Sequence, residues 1–141
     1  MVIESRLCRL GLWLFVAGLV IGFFVQGFTN PRMGLSAHLA AVQIGTALMV
    51  LGVLWPRFAL SERASARLGS TLGWSLYAVV AGLVLAAAFG AGIGAPIAAK
   101  GVRAARWQEL TVAVLTLGGS LGVLVVGVRL SFARLGDGRS R

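Results

Sequence analysis

Four long apolar stretches are the feature of this 141-residue sequence that most restricts its fold. They cover residues 10–28, 35–55, 71–99 and 110–130, and three short polar connections separate them. A helix needs about 20 apolar residues to cross the hydrocarbon core of a bilayer, so each stretch is long enough. Because backbone polar groups in lipid must be satisfied within their own segment, we predict a single all-α domain, an integral membrane bundle of four transmembrane helices.

The composition excludes several classes of protein. Hydrophobic residues make up 58% of the chain and charged residues 12%, which is too apolar for a soluble enzyme. The single cysteine cannot form an internal disulfide, and four acidic residues provide no carboxylate cluster for calcium or a proton relay. A net charge of +9 would suggest nucleic acid binding in a soluble chain, but here the arginines flank apolar stretches, so no nucleic acid partner is predicted.

The basic residues predict the orientation of the bundle. Four successive spans place both termini and the second connection on one side of the membrane. Nine basic residues lie on that side, and four lie on the other side. Because basic loops stay in the cytoplasm, we predict that both termini are cytoplasmic. The first stretch exceeds the apolar core of about 7–15 residues in a signal peptide, so we predict a retained span. The nine are Arg6, Arg9, Arg57, Arg63, Arg67, Arg129, Arg134, Arg139 and Arg141, and the four are Arg32, Lys100, Arg103 and Arg106.

Glycines recur along the apolar stretches. Helices in lipid associate by close approach of their backbones, so these glycines predict tight packing seams. The third stretch ends in residues 90–96 (GAGIGAP), which predict a bent end or a loop rather than a firm helix. The seam glycines are Gly11, Gly18, Gly22, Gly45, Gly52, Gly118 and Gly122.

The only histidine, His38, lies about one turn into the second stretch. Ala41 and Gly45 continue its helix face as small residues, and a flat cofactor needs such a strip beside its ligand. One histidine cannot build a structural metal site, but it can supply the single protein ligand of a haem. The alternative is that His38 hydrogen-bonds a neighbouring helix, although ionisable residues within spans are commonly functional.

Three further polar residues have two interpretations each. Tyr77 could donate a hydrogen bond to a substrate, or its hydroxyl could be tied to a neighbouring helix. Arg32 could pair with a haem propionate or lie among lipid headgroups. Gln43 lies about 140° around the helix from His38, so we expect it to face another helix or subunit.

Residues 30–39 (NPRMGLSAHL), 86–92 (AAAFGAG) and 96–99 (PIAA) resemble the hydroxylaminobenzene mutases. These are small bacterial four-span membrane proteins similar to styrene oxide isomerase, and the likeness covers nearly the whole chain. It implies an intramolecular rearrangement without net redox change, from aryl hydroxylamine to aminophenol or from aryl epoxide to aldehyde. It also implies a homotrimer in the bacterial inner membrane. The small aromatic substrate and the lipid bilayer are the other expected partners.

The resemblance further implies haem b as cofactor, with His38 as the metal ligand and the ferric iron as a Lewis acid toward the substrate oxygen. Two polar positions of the isomerase are not retained, because Ile44 and Val79 stand where it has asparagines. Tyr77, Gln43 or Asn30 could replace them, which makes Tyr77 and Asn30 the candidate catalytic residues. The alternative is a non-catalytic haem-binding or structural membrane module. A small exporter is disfavoured, since no acidic residue lies in the middle of a span.

Overall fold

The computed structural model describes residues 2–92 and 104–135. These residues form four long helices, α1 (Val2–Phe23), α2 (Pro31–Leu54), α3 (Glu62–Phe89) and α4 (Arg106–Ser131). Two single 3-10 turns, Val25–Gly27 and Trp55–Arg57, follow α1 and α2. Each long helix is sufficiently long and apolar to cross a membrane. The predicted all-helical membrane fold is confirmed.

The helices extend beyond the apolar stretches on which the sequence prediction was based. Helix α1 begins at Val2 rather than near residue 10, and α3 begins at Glu62 rather than near residue 71. In both cases charged turns precede the apolar part, because hydropathy marks the segment in lipid whereas hydrogen bonding sets the helix ends. The side chain of Ser61 caps α3 by accepting a hydrogen bond from the Ala64 amide at 3.3 Å.

The third helix ends where the glycine-rich segment begins. Gly90 follows Phe89 with φ 69°, a left-handed conformation that glycine adopts without a Cβ clash, and its amide donates to the Ala86 carbonyl. The predicted bent end is therefore confirmed at Gly90. The rest of the third stretch, including residues 96–99, lies outside the described residues.

The bundle consists of two closely packed hairpins, α1 with α2 and α3 with α4, joined chiefly by contact between α2 and α3. Glycines line both seams, as predicted, except that Gly118 is exposed with nothing within 4 Å of an added Cβ, and its neighbour Gly119 faces α3 instead. A Cβ on Gly11 would lie 2.6 Å from the Gly45 carbonyl oxygen, and one on Gly119 would lie 2.6 Å from the Ser75 carbonyl oxygen. Such short distances are possible only because the backbones approach each other closely. The buried core between the hairpins includes Leu7, Leu48, Trp55, Leu72 and Val126.

Hydrogen bonds at each end of the bundle fix which segments lie together. At one end the Ala59 amide donates to the Arg134 carbonyl at 3.0 Å, which joins the second connection to the end of α4. At the other end the Thr29 hydroxyl donates to the Ala88 carbonyl at 2.7 Å. The first end also carries the basic residues of α1 and of the second connection. The up-and-down arrangement assumed for the charge count is thus present in the fold.

Candidate functional site on the second helix

His38 is held against α1 by a single hydrogen bond. Its Nδ1 lies 2.8 Å from the carbonyl oxygen of Gly18, and the side chain is half-buried. A carbonyl oxygen only accepts, so Nδ1 carries the proton and Nε2 of the neutral ring carries the lone pair. Metal-binding histidines are oriented in this way, with one ring nitrogen donating to a backbone carbonyl and the other free to ligate.

The environment of His38 leaves Nε2 accessible. Among residues 2–92 and 104–135 this nitrogen has no hydrogen-bond partner, and no buried side-chain nitrogen in that part of the chain lacks one. The Nδ1 side of the ring also lies against Gly22, where an added Cβ would lie 2.8 Å from Nδ1. The glycine thus allows the imidazole to lie directly against the backbone of α1.

The strip of small residues beside His38 is covered by α1. Ala41 is fully buried, and an added Cβ on Gly45 would lie 2.6 Å from the Phe15 amide nitrogen. The expectation of an open groove along Ala41 and Gly45 is therefore wrong for this chain. The reason is physical: the absence of bulky side chains that would admit a flat cofactor equally admits a neighbouring helix backbone.

Tyr77 is far from His38 along the bundle. Its hydroxyl donates a hydrogen bond of 2.8 Å to the Leu10 carbonyl oxygen of α1. Leu10 and Gly18 are eight positions apart on that helix, about 12 Å along its axis. The structure therefore brings Tyr77 to the backbone of α1 and does not bring it to the imidazole.

Asn30 caps the helix that carries His38. Its side-chain Oδ1 accepts hydrogen bonds from the backbone amides of Arg32 at 3.1 Å and Met33 at 3.2 Å. Its backbone N–H donates to the Ala87 carbonyl at 3.0 Å. The residue is buried, with 6% exposure. Its side chain thus fixes the start of α2 and its backbone N–H attaches that start to α3, while Arg32 remains exposed at the same end.

A buried carboxyl group is the feature that the sequence interpretation missed. Glu109 is 9% exposed, and its Oε1 accepts a 2.8 Å hydrogen bond from the Gly92 amide. It lines a cavity of about 400 Å³ between α3, α4 and the start of α2. The sequence feature that could have indicated this position is the segment Arg106–Gln108, which can extend α4 by one turn and so places Glu109 inside the helix. The described residues contain no group of three or more His, Cys, Asp or Glu side chains that could hold a metal.

Comparison with known proteins identifies the family. The sequence pattern that defines the styrene oxide isomerases matches residues 3–134. The chain belongs to the styrene oxide isomerase family. It is 38% identical over 125 residues to hydroxylaminobenzene mutase HabB of Ectopseudomonas oleovorans, which covers 88% of this chain and 76% of that protein. Hydroxylaminobenzene mutase HabA of the same organism is also 38% identical, over 79% of this chain and 84% of that protein.

No solved structure matches the chain. The family and the two curated relatives are isomerases or mutases, so this styrene oxide isomerase family member is an enzyme of that class. The non-catalytic alternative is correspondingly disfavoured.

Ile44 and Val79, where the resemblance to the isomerase implies asparagines, are helix contacts. Ile44 is half-buried and packs against the core between the hairpins and against a second cluster formed by Leu14, Ala41 and Val80. Val79 packs against Gly119, where an added Cβ would lie 2.8 Å from its Cγ2. Both positions are thus filled by aliphatic packing between helices, and neither supplies a polar group to the vicinity of His38.

Proposed function

We propose that this enzyme rearranges a small aryl hydroxylamine to an aminophenol, with haem b ligated by His38. The observation that carries the proposal is the hydrogen bond from Nδ1 to the Gly18 carbonyl, which leaves Nε2 accessible with its lone pair. The similarity to two hydroxylaminobenzene mutases supports the substrate class. The family pattern supports an aryl epoxide, rearranged to an aldehyde, as the second candidate substrate.

The donor nitrogen of His38 fits haem iron, whereas the strip along Ala41 and Gly45 is covered by α1 and would not flank the macrocycle. When bound, ferric haem supplies a Lewis acid for the N–O or C–O bond that breaks. His38 would hold it through Nε2, and the Gly18 carbonyl would keep the ring in one orientation. Arg32, exposed six positions before His38 and about 9 Å along the axis, would pair with a propionate.

The remaining contribution of the chain is a dry environment. Reactant and product of either rearrangement are isomers, so the reaction consumes no water and transfers no electrons to an external acceptor. Apolar helices around the site exclude water, and charge that develops on the substrate as its bond breaks is thereby protected from hydrolysis.

The absorption spectrum of the purified protein tests this proposal. We expect a Soret band in the wild type and its loss in His38→Ala, together with loss of aminophenol formation from hydroxylaminobenzene. Thr46→Ala is the matched control, since Thr46 is exposed on the same helix and its hydroxyl donates to the Val42 carbonyl of that helix. Identical spectra for wild type and His38→Ala would refute haem ligation by His38. Wild-type activity on styrene oxide alone would select the second substrate.

The proposed location is the bacterial inner membrane with both termini in the cytoplasm. The support is the charge distribution: nine basic residues at the end that holds the termini and the second connection, against four at the other. A carboxy-terminal fusion to green fluorescent protein should be fluorescent, and the same fusion to alkaline phosphatase should be inactive. The reverse pattern would place the terminus outside.

A homo-oligomer, a trimer as in styrene oxide isomerase, is the proposed assembly. Gln43 supports it, because this residue in the middle of α2 is exposed and makes no side-chain hydrogen bond within residues 2–92 and 104–135. Polar side chains facing lipid are unfavourable, whereas an amide between two copies can pair. Native mass spectrometry should show trimers that Gln43→Leu weakens. A monomeric wild type would refute the assembly.

A further inference from the structure

Helices α1 and α3 each carry an arginine and a tryptophan at the same spacing. Arg6 and Trp13 are seven positions apart on α1, which is about 20° around the helix and about 10 Å along it. Arg67 and Trp74 have the same spacing on α3. All four side chains are exposed, and the two indoles are 68% and 72% exposed. Each helix therefore presents a guanidinium and an indole in one row that faces away from the core.

A contact between α1 and α3 places the two rows side by side. Nη1 of Arg6 lies 3.5 Å from the hydroxyl oxygen of Ser70, which stands between the arginine and the tryptophan of the row on α3. One to two turns further along, α1 and α3 touch again, since an added Cβ on Gly73 would lie 3.1 Å from Leu10 Cδ1. The two rows thus border one groove on the outer surface, here called the α1–α3 groove.

The upper part of the α1–α3 groove carries positive charge. Arg63, one turn before Arg67, adds a third exposed guanidinium to the same face of α3. The carboxylates of these helices lie on other faces: Glu62 is about 140° from Arg67 around α3, and Glu4 is about 160° from Arg6 around α1. Within residues 2–92 and 104–135 none of the three arginines forms an ion pair. Most of their N–H donors are therefore available to an external anion.

The order of these groups along the groove matches the layers of a membrane. A bilayer of about 40–45 Å with a hydrocarbon core of about 30 Å has a headgroup layer of about 5–8 Å on each side. Tryptophans are enriched at this interface, so guanidiniums about 10 Å further out reach the phosphates. A guanidinium binds a phosphate through paired hydrogen bonds. Several guanidiniums together repel the ammonium of a zwitterionic headgroup, which favours a lipid with net negative charge.

We propose that the α1–α3 groove is a binding site for a phospholipid with a net negative headgroup. The phosphate accepts hydrogen bonds from Arg6 and Arg67, and the Ser70 hydroxyl is a further donor. The acyl chains lie against Trp13 and Trp74. Basic pockets between membrane helices bind anionic headgroups in this way. The site requires neither haem nor substrate, so its success or failure leaves the proposed function unchanged.

Native mass spectrometry of the purified protein in detergent measures the selectivity. Phosphatidylglycerol and phosphatidylcholine with identical acyl chains are the two probes. One arginine near an anionic headgroup contributes about fivefold in affinity, so two arginines should make phosphatidylglycerol about 25-fold tighter. Equal affinities would overturn the proposal. Excess glycerol phosphate, which lacks acyl chains, should not displace the lipid; displacement would indicate a site for free phosphate and would also overturn it.

Charge variants locate the headgroup. Arg6→Gln and Arg67→Gln should each lower the preference for phosphatidylglycerol about fivefold, and the double variant should bind the two lipids about equally. Arg129→Gln is the matched control, because it removes an exposed arginine in the last turn of α4 at the same end of the bundle. Replacing both groove arginines by lysine retains the charges and should retain a preference. An unchanged preference in the double glutamine variant, or an equal loss in the control, would refute the site.

Tryptophan fluorescence locates the acyl chains, because bromine atoms on a lipid chain quench an indole that they touch. In phosphatidylcholine nanodiscs, brominated phosphatidylglycerol should quench more than an equal amount of brominated phosphatidylcholine. Trp13→Phe combined with Trp74→Phe should remove that excess. Trp107→Phe is the matched control, since Trp107 is 62% exposed at the other end of the bundle, where it contacts Phe89. Circular dichroism confirms that each variant is folded. An excess that persists in the double variant would place the lipid elsewhere and overturn the site.

Discussion

Gly45→Ala distinguishes a helix contact from an open groove beside His38. The new Cβ would lie 2.6 Å from the Phe15 amide nitrogen, 2.7 Å from the Gly11 carbonyl oxygen and 2.9 Å from the Phe15 Cα. All three obstacles are backbone atoms, so no side chain can rotate away. To reach an ordinary contact of 3.4 Å, α1 and α2 must separate by about 0.8 Å along a close-packed seam.

The expected loss follows from that geometry. Overpacking typically lowers the free energy of unfolding by about 1–3 kcal/mol, and rigid backbone obstacles place Gly45→Ala in the upper half of that range. Gly118→Ala is the matched control, because its Cβ would meet nothing within 4 Å. The control should gain up to about 1 kcal/mol from alanine's higher helix propensity. Titration with sodium dodecyl sulfate, followed by circular dichroism, measures both free energies.

A second substitution makes the test sharper. The Cβ in Gly11→Ala would meet the Gly45 carbonyl oxygen at 2.6 Å, so it forces the same seam apart from the other side. The same separation of α1 from α2 relieves both clashes. The double variant should therefore lose less free energy of unfolding than the sum of the two single losses. If Gly45→Ala is instead as stable as Gly118→Ala, α1 does not cover the strip, and the strip is available to a flat cofactor.

Three further substitutions test contacts at the ends of the helices and between them. Tyr77→Phe removes the hydrogen bond to Leu10 and should lower unfolding free energy by about 0.5–1.5 kcal/mol in the detergent titration; retained turnover would assign the hydroxyl to packing, and a large loss of turnover would assign it to catalysis. Asn30→Ala removes the cap of α2 and should cost about 0.5–2 kcal/mol in the same titration, whereas an unchanged value would contradict the capping role. Gly90→Ala forces a side chain into the left-handed region and should lower thermal stability by about 1–2 kcal/mol; an unaffected melting curve would disprove that conformation.

Hydropathy and arginine placement were sufficient to predict the four helices and the segments that share each end. Those properties depend on single residues and their spacing, which the sequence displays directly. The ends of the helices were less predictable, because a polar turn can continue a helix beyond the segment that lies in lipid. The start of α1 at Val2 is an example. The glycine-rich segment predicted a bent end or a loop, and the left-handed conformation of Gly90 was seen only in the structure.

The site was predicted only in part, because pattern alone does not say which partner a surface meets. Ala41 and Gly45 show that a smooth helix face is present, but a flat cofactor and a second helix require the same face. For His38 two interpretations were open, and the hydrogen bond to Gly18 shows how the ring is held. Glu109 was only partly predictable, because the extra turn at the start of α4 is local in sequence, whereas the hydrogen bond from the Gly92 amide joins residues 17 positions apart.

The division of the bundle into two hairpins, each with its own glycine seam, has a consequence for biosynthesis. Helices α1 and α2 complete most of their mutual contact without help from the later pair. Since the amino-terminal half emerges first from the ribosome, this pair can assemble in the translocon while the rest of the polypeptide is still being made. The hydrogen bond between His38 and the Gly18 carbonyl lies wholly within this first pair, so its formation requires neither α3 nor α4.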